Sequence, residues 1–119
     1  MTIDRIIKIV TTYFDLPPEA VYIMSRRREI VHARQIVHYF AHRKTNNNLR
    51  EIGFLVGRKD HSTVLHSIKV VNNLYETDNR FKGWVDDIEK KLLPKEQRII
   101  FIKRQIKELK EELIRLESL

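Results

Sequence analysis

The sequence predicts an all-α protein, a compact helical domain that contains a helix-turn-helix and is followed by a C-terminal amphipathic helix. Three observations carry that expectation. Apolar residues recur at three- and four-residue spacing along most of the chain, which is the period of a helix with one buried face. No apolar/polar alternation of useful length, internal repeat or low-complexity tract is present, which argues against strands and repeat architectures. In the middle of the chain a short amphipathic segment, a glycine-containing turn and a longer amphipathic segment follow one another, the order of a helix-turn-helix.

The elements follow in order. Ile3, Ile6, Ile7, Val10 and Phe14 line one face of a first helix, with Thr2 as its N-cap. Asp15-Leu16-Pro17-Pro18 ends it, because a proline ring disfavours helical geometry in the residue before it, and Pro18 can open a short turn from Glu19 to Ile23. Ser25-Arg26-Arg27-Arg28 reads as a basic loop. From Ile30 to about Lys44 the stripe Ile30, Ala33, Ile36, Val37, Phe40, Ala41 is helical, and Asn46-Asn47-Asn48 breaks it. Leu49 to Leu55 is a short helix. Gly57 suits the turn that follows, since glycine takes positive φ without steric cost, and the next helix runs from Asp60 or His61 to about Tyr75 on Val64, Leu65, Ile68, Val71 and Leu74. Asn79 to Leu92 turns Phe81, Trp84, Val85, Ile88 and Leu92 inward. Pro94 breaks the chain, dividing a domain at 1–93 from a segment at 94–119. There Ile99, Ile102, Ile106, Leu109, Leu113 and Leu116 alternate spacings of three and four, the seam of a coiled coil and a route to a homodimer or other oligomer through residues 95–119.

Length and charge narrow the function. A chain of 119 residues can bury its own core. Without cysteine there is no disulfide framework and no thiolate metal site. No signal-peptide h-region and no apolar run near the ~20 residues of a membrane span occur, so the expectation is a cytoplasmic protein with no membrane partner. The net charge of +7 is confined to residues 21–69, where ten Lys and Arg face three Asp and Glu, while residues 1–20 and 70–119 nearly balance. A basic excess on the segment that holds the helix-turn-helix is an electrostatic footprint for phosphate. RNA is disfavoured, because no aromatic stacking platform interleaves with the basic residues.

The polar head of the second helix carries the chemistry. Asp60 can accept from a cytosine amino group, His61 and Ser62 are short hydrogen-bonding groups, and Thr63 offers a methyl to thymine and a hydroxyl to polar base edges. Asp60, Ser62 and Thr63 are also residues that cap helices, and an exposed recognition-helix terminus has to be both capped and polar.

Glu51-Ile52-Gly53, followed by the run Gly57-Arg58-Lys59-Asp60-His61-Ser62-Thr63-Val64-Leu65-His66, resembles the signature of the DNA-binding domain of the bacterial replication initiator DnaA. The turn at Leu16-Pro17-Pro18, the basic loop at Ser25 to Arg28 and the Arg34-Gln35 pair extend the resemblance over roughly residues 1–92. It implies sequence-specific binding of double-stranded DNA at an A·T-rich DnaA box, in replication initiation or its regulation. The start of the second helix would lie in the major groove, with Asp60, His61, Ser62 and Thr63 on bases. Arg26 would enter the adjacent minor groove, whose potential is most negative where A·T tracts narrow it; Arg27 or Arg28 could replace it by a shift of one or two residues. Arg27, Arg28, Arg34, Arg50, Arg58 and Lys59 would contact phosphates, which positions a protein without specifying sequence.

The chain departs from the family in two ways. Arg58-Lys59 stands where Gly-Arg is usual, exchanging a guanidinium fork for an ammonium. Family members also carry a nucleotide-binding ATPase ahead of this domain, whereas none of Gly53, Gly57 and Gly83 begins a Gly-x-x-x-x-Gly-Lys loop. The expectation is therefore no bound nucleotide, no cofactor and no catalysis. His38 and His42 have the i, i+4 spacing of zinc ligands, but Tyr39 stands where a zincin carries glutamate and no third ligand is evident, so no metal is expected. Two alternatives accompany this reading: an adaptor acting through the C-terminal helix, and a Trp-repressor-like transcriptional regulator.

Overall fold

In the computed structural model, which describes every residue but Arg58, all regular structure is helical. The helices are α1 (Ile3–Tyr13), α2 (Arg28–Lys44), α3 (Leu49–Leu55), α4 (His61–Thr77), α5 (Asn79–Leu92) and α6 (Lys95–Glu117), with a 3₁₀ turn at Pro18–Tyr22 between α1 and α2. Two compact units emerge, Met1–Ile88 and Glu89–Leu119, and the division falls inside α5.

In the first unit the Thr2 hydroxyl accepts from the Arg5 N–H at 3.2 Å and caps α1. Ile3, Ile6, Ile7 and Val10 form its buried face, as the spacing predicts, whereas Phe14, expected on that face, is the C-cap and half-buried; the Thr11 hydroxyl is buried but donates to the Ile7 carbonyl at 2.6 Å. The helix stops where Asp15 takes φ 57°, a left-handed conformation that a short polar side chain tolerates better than most. Pro18 then starts the 3₁₀ turn, whose Ala20 and Val21 are buried.

Helix α2 is the centre of this unit and packs against α1, the 3₁₀ turn, α3 and α4. Ile36, Val37, Phe40 and Ala41 are wholly buried, and each such aliphatic or aromatic side chain contributes about 1.5–3 kcal/mol relative to exposure. The helix begins at Arg28, two residues before its first apolar position, so the basic loop is shorter than the sequence implies. The first part of α5 is held by Phe81, Val85 and Ile88. Two buttresses join it to its neighbours: the Tyr13 hydroxyl donates to Asp87 at 2.7 Å and the Tyr75 hydroxyl to Asp86 at 2.8 Å. Burial, reinforced by the Asp87 carboxylate, pushes the Tyr13 phenol up to about 12.

In the second unit Pro94 occupies the N-cap position of α6 and Lys90 lies over the Phe101 ring at 5.3 Å. No residue of α6 is buried. None of the described helices is long and apolar enough to cross a membrane.

Candidate nucleic-acid interface

Helices α3 and α4 form the helix-turn-helix. Asn48 starts it with a reciprocal capping box: its side-chain oxygen accepts from the Glu51 N–H at 2.9 Å, and the Glu51 carboxylate accepts from the Asn48 N–H at 3.1 Å. The turn closes on two glycines. Gly57 has φ +78°, and a Cβ there would meet the Val21 carbonyl at 2.9 Å. Gly53 sits within α3 against the backbone of Lys59, whose N–H donates to the Gly53 carbonyl at 2.7 Å; a Cβ on Gly53 would overlap the Lys59 carbonyl oxygen. The sequence singles out Gly57 as the turn residue and gives Gly53, present in the Glu51-Ile52-Gly53 motif, no packing role, because close backbone approach leaves no mark in periodicity.

Asp60 is the N-cap of α4. Its Oδ1 accepts from the Thr63 N–H at 2.9 Å, the Ser62 hydroxyl at 2.8 Å and the Thr63 hydroxyl at 2.9 Å. These donors, the Thr63 N–H first among them, hold the carboxylate at about 2. Asp60, His61 and Ser62 are exposed and Thr63 is half-buried. The four residues expected to read bases therefore share one exposed, capped helix terminus.

The basic loop comes to the same place. Lys59 Nζ lies 3.0 Å from Met24 Sδ, which brings the residue ahead of Ser25–Arg28 beside the start of α4. Arg26, Arg27 and Arg28 are exposed. Arg27 lies 3.6 Å from Glu29 in an ion pair open to solvent on both sides, a contact of little energetic weight. Arg28 lines an open cleft shared with His32, Arg80 and Trp84. Arg50 is exposed on α3. Arg58, expected among the phosphate contacts, lies outside the described residues.

Arg34 is engaged differently from its expected role on phosphate. Its Nε donates to the Val21 carbonyl at 3.0 Å and an Nη donates to the Ile23 carbonyl, and burial lowers its pKa. With these donors engaged internally, it clasps the 3₁₀ turn to α2 beneath Gly57. Charge alone could not separate this arginine from its exposed neighbours.

A buried polar pair also escapes the sequence, which offers His38 only as a candidate zinc ligand. His38 has no exposed surface, and its Nδ1 lies 2.8 Å from the Ser67 hydroxyl, joining α2 to α4 inside the core. Burial lowers its pKa to about 4, aided by the positive charges of Arg34 and Lys59. His42 is exposed. Among the described residues no three His, Asp or Glu side chains are grouped to hold a metal ion.

Comparison with known proteins agrees with this geometry. The family model described as the bacterial dnaA protein helix-turn-helix matches residues 3–71. A chromosomal replication initiator protein DnaA of Flavobacterium psychrophilum is 48% identical over 92 residues, which are 77% of this chain and 19% of that protein. Its namesake in Bacteroides thetaiotaomicron is 44% identical over 95 residues, covering 80% of this chain and 20% of the relative. That of Campylobacter concisus is 37% identical over 95 residues, covering 80% and 22%. The chain thus spans about a fifth of the length of the curated relatives it matches. With matches that cover more than half of its residues, the chain belongs to the family of the bacterial DnaA helix-turn-helix.

Proposed function

We propose that this chain binds double-stranded DNA sequence-specifically at a DnaA-box-like, A·T-rich site, in replication initiation or its regulation. The start of α4 enters the major groove, where His61, the Thr63 methyl and the Asp60 oxygen not engaged in the cap face base edges. Arg26 enters the neighbouring minor groove. Arg27, Arg28, Arg50 and Lys59 meet phosphates on either side and fix the register of the protein on the duplex. Arg34 serves this surface from beneath, by holding the loop that carries Arg26.

The observation that carries the reading is the contact of Lys59 with Met24. It joins two segments more than thirty residues apart into one surface, so that a base-reading terminus and an arginine loop can engage adjacent grooves together. Selection of bound duplexes from a random pool tests it. Recovery of a shared A·T-rich motif with a flanking A·T tract is the expected result; a recovered pool as random as the input would overturn it.

A further inference from the structure

We propose that α6 is a self-association element, pairing antiparallel with α6 of a second copy of this chain. The helix is 23 residues long without a buried residue. Its six stripe residues, Ile99 to Leu116, keep between 43% and 64% of their surface exposed, on a strip about 25 Å long at 1.5 Å per residue. A single helix of this length is marginal in water, and a continuous apolar strip of this extent marks an interaction surface.

What covers the strip is indicated by its own order. All three isoleucines, Ile99, Ile102 and Ile106, precede all three leucines, Leu109, Leu113 and Leu116. Reversing one copy against another sets Ile99 opposite the partner's Leu116, Ile102 opposite the partner's Leu113 and Ile106 opposite the partner's Leu109. Every layer of the seam then joins one isoleucine to one leucine, and the interface is its own mate under a two-fold axis.

Charge selects the same direction. Residues 95–107 hold five Lys and Arg against one Glu, and residues 108–117 hold four Glu against one Lys and one Arg. Antiparallel pairing lays the basic half along the acidic half. A parallel pair would set like halves together, with Arg98 beside the partner's Lys103 and Glu112 beside the partner's Glu117. In the antiparallel register Lys103 faces the partner's Lys110, but the diagonal neighbours of Arg98 and Lys103 are the partner's Glu112 and Glu117. The apolar layers supply the affinity and the charged halves supply the direction. The assembly carries two helix-turn-helix units, which raises binding to a duplex with two suitably spaced sites through effective concentration.

The chain contains no cysteine, so two single substitutions, Ile99→Cys and Leu116→Cys, report the pairing directly. On mild oxidation a mixture of the two full-length variants should give a disulfide-linked pair, while each variant alone stays unlinked because its thiols lie about 25 Å apart. The unsubstituted chain should sediment at twice 14.3 kDa at tens of micromolar. Linkage within either variant alone would mean a parallel pair and overturn the proposal. A monomeric mass for the unsubstituted chain, or a dimeric mass with no mixed linkage, would overturn it as well.

Discussion

The N–H of Lys59 donates to the carbonyl of Gly53 at 2.7 Å, so the turn of the helix-turn-helix is clamped backbone to backbone. The clamp sets where α4 begins, because Asp60, its N-cap, is the next residue. It leaves no room for a side chain on Gly53, since the group that a Cβ would meet is main chain and cannot swing away.

Gly53→Ala should therefore destabilise the first unit by about 2–3 kcal/mol, the upper part of the overpacking range. Gly57→Ala should cost at least about 1–2 kcal/mol, the usual penalty for a Cβ at positive φ, and the Val21 carbonyl 2.9 Å from that Cβ adds to it. Denaturant unfolding of both variants checks this, and a Gly53→Ala chain as stable as the parent would contradict the clamp.

His38 makes stability depend on pH. Its folded pKa of about 4 lies below the ordinary histidine value of 6.5, so the unfolded chain binds the extra proton as pH falls below 6.5. The stability from the neutral buried ring is complete above pH 6.5 and declines as pH falls towards 4. Between pH 7.5 and 5 the loss from this residue should be about 2 kcal/mol. Urea midpoints at the two pH values measure it, and a His38→Gln chain should lose most of the difference. An unchanged pH dependence in that variant would remove His38 as its source.

What was legible in the sequence follows the kind of force involved. The stripe from Ile3 to Val10, the break at Asn46-Asn47-Asn48, the turn at Gly57 and the Asp60 terminus were readable because periodicity, capping and turn chemistry act between residues near in sequence. The exposed basic loop was readable from local charge. The Arg34 clasp, the His38–Ser67 pair and the Gly53 clamp were not, because each depends on a partner brought close only by the fold: Ser67 lies 29 residues from His38, and Val21 lies 13 from Arg34. An arginine that braces a loop and one that meets phosphate look the same until the carbonyls beside them are known.

If α4 reads bases, His61→Ala and Thr63→Ala should each cost about 1–3 kcal/mol on the preferred duplex and much less on random DNA. Asp60→Ala is less selective, since it also removes the acceptor for three donors at the helix start. Equal losses on both duplexes for His61→Ala would assign that residue to support rather than reading.

Arg26 and Arg50 should differ in kind. Arg26→Ala should weaken binding most where the flanking minor groove is A·T-rich and narrow, whereas Arg50→Ala should weaken all duplexes alike and reduce the salt slope by about one. A uniform loss for Arg26→Ala across A·T-rich and G·C-rich flanks would contradict its minor-groove placement.

Recognition of a DNA sequence by this surface is measured by a pair of dissociation constants at one fixed salt concentration. One duplex carries a DnaA-box-like, A·T-rich site and the other is its shuffled counterpart of identical length and composition. The intact site should be preferred by a factor on the order of 10³. The log-log salt slope should be roughly −4 to −5 from the four phosphate contacts together with Arg26. Equal affinities for the two duplexes would mean that this surface does not read sequence.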